Sequence, residues 1–214
     1  MKEFDYSEVK HYKFYGMVRK LAPVIKALYH VKIKGTENIP PKGTRYIVAV
    51  NHTCAFDPVF AGMYEGMPEL HFMAKSELYK NPIVGWVITH MYGFPVHRGT
   101  GDNKAIEFGE KIINEGHVMA ICPEGRRIKD KDGVPQKAKS GIAVIAKATN
   151  AAVLPVAICS KDKIKVGSHV TVSYGKLITP EEMGFDKEEF GPHDIKRAAN
   201  LVMERITELW KAER

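Results

Sequence analysis

From about residue 31 onward, short apolar runs alternate with segments whose apolar residues recur every three or four positions. The runs have the length and β-branched content of buried strands, and the longer segments have the spacing of one helical face. Strands are expected near residues 31–34, 46–50, 71–74, 93–96, 118–122, 153–158 and 170–174, with helices at about 58–64, 82–91, 103–114, 141–148 and 195–211. Strands and helices alternating over short linkers predict an α/β fold, a single domain whose largely parallel central sheet is flanked by helices. Ahead of it, Phe14, Val18, Leu21, Ile25 and Leu28 share one helical face with lysines interleaved on the other. This predicts an N-terminal amphipathic helical segment over residues 1–30, preceding a domain over 31–214. Pro23 divides the segment: one helix over about 7–21 ends there, and the proline suits the first turn of a second, where its missing N–H costs nothing. Ile195, Ala199, Val202, Ile206 and Leu209 fall on one side of the last helix, a pattern of core packing.

Composition agrees with one packed domain, or one domain with a small appendage. The 214 residues are 44% hydrophobic and 27% charged, a balance that excludes a disordered chain. The formal net charge of +7 is concentrated early, since residues 1–34 hold eight Lys/Arg against three acids. Such a surface attracts something anionic: nucleic acid, phospholipid headgroups or a phosphorylated substrate. Cys54, Cys122 and Cys159 are widely spaced without a C-x-x-C pair, which supports neither a disulfide framework nor a zinc knuckle and fits a reducing, cytosol-facing location. The longest apolar runs, 46–50 and 151–159, fall far short of the roughly 20 residues that span a bilayer. Residues 1–9 carry Glu3, Asp5 and Glu8 and no apolar h-region, so neither a spanning helix nor a secretory signal is expected.

The residues that suggest chemistry sit where strands end. Asn51-His52-Thr53-Cys54-Ala55-Phe56-Asp57-Pro58 follows directly on the strand at 46–50. Asp57 before Pro58 reads as a helix N-cap followed by proline at the first helical position, with its carboxylate at the positive end of the helix. His52, five residues earlier, can fold back on it. With one imidazole nitrogen bonded to Asp57, the other is left to take a proton from a hydroxyl, which describes a general-base dyad. In isolation the same spacing also describes a loop histidine and a helix cap. Gly93-Phe94-Pro95-Val96-His97-Arg98-Gly99 ends in an arginine that can hold a phosphate in a planar fork or stay a solvated charge, with Asp102 capping the next helix. Cys122-Pro123-Glu124-Gly125-Arg126-Arg127 again follows an apolar strand, and open α/β sheets place ligands at such strand ends. Lys139-Ser140-Gly141 opens a helix whose N-terminus can assist anion binding.

In this order and spacing the segments resemble the glycerolipid acyltransferase family, in particular its bacterial-type 1-acylglycerol-3-phosphate acyltransferases. The resemblance covers about residues 31–180: KIKGTENIPPKG at 32–43, the dyad block at 51–57, AKSEL at 74–78, GFPVHRG at 93–99, CPEGRR at 122–127, KSG at 139–141 and VLPV at 153–156. The dyad block and the Glu-Gly-x-Arg block are the specific ones. The resemblance implies transfer of a fatty acyl group from acyl-CoA or acyl-carrier protein to the free hydroxyl of lysophosphatidic acid, giving phosphatidic acid in phospholipid biosynthesis. It implies that His52 deprotonates the hydroxyl and that Asp57 orients His52. Arg98, Glu124, Gly125 and Arg127 would shape the acceptor's phosphate site, with Lys75 nearby and residues 153–156 along the apolar side. No metal and no cofactor is implied, because the acyl-CoA or acyl-carrier protein donor is itself activated. Arg126 stands where the family commonly has threonine, in Glu-Gly-Thr-Arg-Ser. It either strengthens anion binding or points into solvent, and it leaves glycerol 3-phosphate, another lysophospholipid or a non-glycerol alcohol as alternative acceptors.

Other readings use the same residues. Cys54, two residues from His52, could attack first in a Cys-His acyl-enzyme, although a cysteine acting as a small buried hydrophobe is the commoner situation. His52, Asp57 and Glu124 could together bind zinc as a hydrolase centre. His71, His90, His97 and His117 lack paired spacing and read as structural. A noncatalytic protein binding anionic lipid is the rival from another class. Nucleic acid is not an expected partner, because the positive charge clusters with an apolar helix face and not with exposed aromatics on which bases stack. The N-terminal segment either lies among membrane phospholipid headgroups or packs its stripe on the domain. With the family resemblance, the first reading makes the protein peripheral, on the cytoplasmic face of a membrane.

Overall fold

The computed structural model describes residues 4–99, 101–128 and 133–214, so Lys2 and Glu3, counted in the N-terminal charge, lie outside the described residues. Seven strands form one sheet: β1 (Lys32–Lys34), β2 (Ile47–Val50), β3 (Leu70–Lys75), β4 (Gly93–Val96), β5 (Val118–Ile121), β6 (Val153–Cys159) and β7 (Thr171–Tyr174). Their spatial order is β1-β7-β6-β2-β5-β3-β4. Strands β6, β2, β5, β3 and β4 run parallel, while β7 pairs antiparallel with β6 and parallel with β1. The expected largely parallel α/β sheet is therefore the one formed, with a reversed pair of strands at one edge.

Burial accounts for the uninterrupted apolar runs. Every residue of β2, β5 and β6 is buried, as parallel strands covered on both faces require. Strand alternation divides them between two cores. Ile47 and Ala49 pack beneath α5 (Asn103–Asn114), α6 (Gly141–Thr149) and α7 (Pro192–Ala212), whereas Tyr46, Val48 and Val50 face α2 (Ala22–Leu28) and α3 (Asp57–Ala61). Two further helices are α1 (Lys13–Arg19) and α4 (Pro82–His90), the latter capped by Asn81, whose side chain accepts from the backbone N–H of Ile83 and Val84.

The N-terminus departs from its helical spacing. The helix expected from residue 7 begins at Lys13, because the preceding residues are tied to the domain by contacts distant in sequence. Phe4 and Tyr6 set their rings edge-on against Phe108, the Tyr6 hydroxyl donates to the Pro95 carbonyl at 2.9 Å, and Val9 is buried in the core under α5. Long-range aromatic packing wins over a local helical pattern here. The break at Pro23 is present, α1 ending at Arg19 and α2 starting at Ala22. Helix α3 is shorter than expected, and α7 starts at Pro192, three residues early.

Among the described residues two buried side-chain polar atoms have no hydrogen-bond partner, His71 Nε2 and the Tyr79 hydroxyl. His71 in β3 lies between the rings of Tyr92 and His117, at 4.7 and 5.2 Å, and its Nε2 has no hydrogen-bond partner among the described residues. Burial, reinforced by His117 and His11, pushes its pKa from 6.5 down to about 3. A depressed folded-state value means the neutral ring's contribution to stability is present above pH 6.5 and lost as pH falls below it. His71→Phe should therefore gain about 2 kcal/mol on the wild type between pH 7 and pH 5. Parallel denaturation curves at the two pH values check this, and an unchanged gap would refute it.

Candidate active site

Five parallel strands deliver their C-terminal ends to one edge of the sheet, and the loops leaving them surround a cleft of about 1770 Å³. This is the edge where open α/β sheets take ligands. Central β2 supplies the pivotal loop. Immediately after it, buried Asn51 extends the ladder toward β6: its Nδ2 donates to the Ile158 carbonyl at 2.9 Å, and its Oδ1 accepts from Ile158 N–H at 2.7 Å. The next residue is His52.

Asp57 is 0% exposed, and a buried carboxylate needs donors. Five converge on it. Oδ2 accepts from His52 Nδ1 at 2.7 Å and from the backbone N–H of Thr53 and Cys54 at 2.7 and 2.8 Å. Oδ1 accepts from the Thr53 hydroxyl at 2.9 Å and the Cys54 thiol at 3.3 Å. An acceptor so occupied makes His52 Nδ1 the protonated nitrogen and leaves Nε2 with a free lone pair. Asp57 is not the N-cap expected from its neighbour Pro58. It is the first helical residue, after Phe56 in the cap position, and its side chain turns back to the 52–54 loop instead of onto the amides of its own helix. The backward turn is required to satisfy the loop's donors.

Glu124 fixes the same histidine from the main-chain side. Its Oε2 accepts from His52 N–H at 2.7 Å and its Oε1 from Gln136 N–H at 2.9 Å, while Ile128 N–H donates to the His52 carbonyl at 2.8 Å. Burial raises the Glu124 pKa to about 6, against the opposing pull of the two amide hydrogen bonds. Its carboxylate thus faces backbone and not the cleft. Gly125 follows in a left-handed turn, φ 69°, closed by its N–H to the Cys122 carbonyl at 3.0 Å, and a Cβ there would lie 3.2 Å from Lys139 Cγ. The lone pairs a zinc ion would need on Asp57 and Glu124 already accept hydrogen bonds, and no group of three metal-ligating side chains is assembled among the described residues.

Cationic side chains share the cleft with the pair. Arg98, Arg127, Lys75 and Lys139 all line it, and all four are exposed. Arg98 sits in a loop held by Asp102, which accepts from His97 N–H at 2.8 Å and caps α5 through Ala105 N–H at 3.2 Å. Lys75 is paired with Glu77 at 2.9 Å. Arg126 is exposed and outside the cleft wall. Residues 153–156, expected along the apolar side, are buried inside β6 against β2; Ile158, nearer the strand end, reaches the cleft instead. The Cys54 thiol is pushed up to about 12 by burial and by Asp57, the state of an inert thiol rather than an attacking thiolate.

Sequence reasoning missed Asn51, Thr53 and Lys139 as parts of this site. Lys139 stood in a recognised segment. The other two act through backbone geometry, which spacing does not encode.

A parallel sheet with a His-x4-Asp pair at its central strand end, in a cleft shared with arginines, defines a glycerolipid acyltransferase. The family model described as Acyltransferase matches residues 30–159, and the chain belongs to that family. It is 29% identical over 146 residues to the 1-acyl-sn-glycerol-3-phosphate acyltransferase of Bacillus subtilis, covering 68% of this chain and 70% of the relative. The Streptococcus pneumoniae protein of the same name is 29% identical over 150 residues, covering 67% and 53%, and the chloroplastic LPAT1 of Arabidopsis thaliana is 26% identical over 170 residues, covering 77% and 47%. The chain thus spans about half the length of these last two. The crystal structure of the 1-acyl-sn-glycerophosphate (LPA) acyltransferase PlsC from Thermotoga maritima shares the fold, with a TM-score of 0.67 at 22% identity over 91% of this chain and 77% of that one.

A raised folded-state carboxyl pKa contributes stability that is full below the ordinary value of 4.5 and lost as pH rises through about 6. Glu124→Gln removes that dependence. Urea denaturation should show the variant gaining about 2 kcal/mol on the wild type from pH 4 to pH 7, superimposed on a constant loss for the acceptor it gives up. A gap independent of pH would mean that Glu124 does not titrate in this range.

Proposed function

We propose that this chain transfers a fatty acyl group from acyl-CoA or acyl-carrier protein to the free hydroxyl of lysophosphatidic acid, yielding phosphatidic acid, at a membrane surface. The observation that carries the reading is the buried Asp57 holding His52 Nδ1, with Nε2 left toward a cleft lined by Arg98 and Arg127. His52 Nε2 takes the acceptor's hydroxyl proton as the oxygen attacks the thioester carbonyl. The tetrahedral intermediate collapses with cleavage of the carbon–sulfur bond, and the imidazolium returns its proton to the departing thiolate. No enzyme nucleophile is needed, because the thioester is already activated.

Arg98 and Arg127, with Lys75 and Lys139, are suited to the acceptor's phosphate, the guanidinium forks matching its oxygens in pairs. Asn51, Thr53 and Glu124 are positioning residues, acting through the backbone around His52. The apolar walls, including Ile25, Phe72 and Ile88, suit the acyl chains. Residues 1–30 supply the membrane-associating helices and 31–214 the acyltransferase domain, the enzyme acting as a peripheral protein on the cytoplasmic face.

Purified protein incubated with labelled acyl-CoA, acyl-carrier protein and a panel of lysolipids, with products resolved by mass, tests the reading. Lysophosphatidate should be converted to phosphatidate; exclusive acylation of glycerol 3-phosphate or another lysophospholipid would replace the acceptor, and no product with any would overturn the assignment. His52→Ala should lower turnover by about a thousandfold with an unchanged circular-dichroism spectrum, and Cys54→Ala should stay active.

A further inference from the structure

Helix α4 is apolar on two faces. Val84, Val87, Ile88 and Met91, at helical spacing, line the cleft, while Ile83 and Trp86 point outward and are 75% and 51% exposed. From Pro82 to His90 it holds no Asp, Glu, Lys or Arg. A helix apolar all round is buried in protein or placed in lipid, and among the described residues nothing buries Ile83 and Trp86, although the rings of Phe14 and His90 touch the indole.

The face is continuous with a second one, distant in sequence. Trp86 sets its ring edge-on to Phe14 of α1 at 5.1 Å, one helical turn before Met17, which is 58% exposed. Leu21, Val24 and Leu28 continue the exposed apolar surface along α2. Along the two stretches of sequence that carry these faces the charge has one sign. Between Val9 and Thr36 stand seven Lys/Arg and no Asp or Glu, and between Leu78 and Gly101 stand Lys80 and Arg98, again with no acid. Apolar residues bordered by cations, with an indole among them, match the interfacial region of an anionic bilayer.

We propose that α4 is a second membrane-inserting element, supplied by the catalytic domain itself: Ile83 and Trp86 enter the headgroup boundary of an anionic bilayer beside α1 and α2. This rests on the membrane-surface reading above and deepens it. At about 1.5 Å rise per residue a nine-residue helix cannot span a bilayer, so α4 lies in the interface plane. Both insertion elements line the cleft, α1 and α2 through Val18 and Ile25 and α4 through Val84 and Val87. A lipid can then move from the leaflet into the cleft between them without its chain crossing open water.

The chain carries its own probe. Its two tryptophans are exposed Trp86 and buried Trp210. The full-length protein is titrated with phosphatidylcholine vesicles containing phosphatidylglycerol, with fluorescence and co-sedimentation read on the same samples. The vesicle-bound protein should show blue-shifted tryptophan emission, quenched by lipids brominated near the headgroup end of their chains, and both effects should vanish in Trp86→Phe. Ile83→Glu, outside the cleft wall, should lower the partition coefficient about tenfold with an unchanged circular-dichroism spectrum. Sedimentation with Trp86 still red-emitting and iodide-accessible overturns the proposal while leaving the N-terminal helices as anchor, and equal partitioning of Ile83→Glu does the same. Absence of sedimentation defeats both this proposal and the membrane part of the functional reading, whereas the acyl-transfer assay with detergent-dispersed lysolipid judges the chemistry separately. A dimer in solution that Ile83→Glu dissociates, without vesicle binding, would assign the face to a second copy of the chain.

Discussion

A carboxylate with no exposed surface sets the terms for everything around it. Asp57 can remain buried only if its oxygens are filled by donors, and the donors come from three consecutive residues, His52, Thr53 and Cys54. The loop after β2 must therefore curl around Asp57. That curl turns the His52 main chain away from the sheet, so its own N–H and C=O need partners from elsewhere, and Glu124 and Ile128, beyond the neighbouring β5, provide them. On the opposite side Asn51 is tied to Ile158 of β6. One buried charge thus locks the ends of three adjacent strands into a single arrangement, with the imidazole held through both its side chain and its backbone. In the acyl transfer proposed above, an imidazole fixed before substrate arrives reduces the reorganisation required at the moment of proton transfer.

The cations lining the cleft follow a different logic. Arg98, Arg127 and Lys75 are exposed, the two arginines on the loops after β4 and β5 and Lys75 at the end of β3. Exposed charge contributes little to stability but acts over a longer range on any anion that approaches the cleft. Geometric precision is thereby invested in the buried dyad, and attraction in the solvated rim. Arg126 marks the boundary between these roles: one residue from Arg127, it is exposed and outside the cleft wall.

Much of this was legible in the sequence, for identifiable reasons. The central strands β2, β5 and β6 read clearly because burial on both faces demands unbroken apolar runs, and α7 because its partner is a flat core that selects a one-sided stripe. The His52 and Asp57 pair was legible because their contact is local. Glu124 could be singled out but its work could not, since its partners are backbone amides, which every residue possesses. The same applies to Asn51. The helix expected from residue 7 starts only at Lys13, because Phe4 and Tyr6 find partners on Phe108 and Pro95, contacts too distant in sequence for local spacing to show. The reversed pair of strands at the sheet edge left no mark, because β1 and β7 look alike whichever way they run.

The N-terminal stripe shows why spacing alone cannot separate packing from exposure. Phe14, Val18, Leu21, Ile25 and Leu28 form one pattern in the sequence, yet the fold splits it: Val18 and Ile25 turn to the cleft, while Leu21 and Leu28 remain in solvent. A protein whose only constraint was its own core would place polar residues at the latter positions, as α7 does with Glu204, Arg205 and Glu208 opposite its buried Val202 and Ile206. Each large apolar side chain left in water forgoes about 1.5–3 kcal/mol of burial. Several such side chains concentrated around one cleft, while other helices of the same molecule avoid them, indicate a surface shaped by something outside the chain's own core.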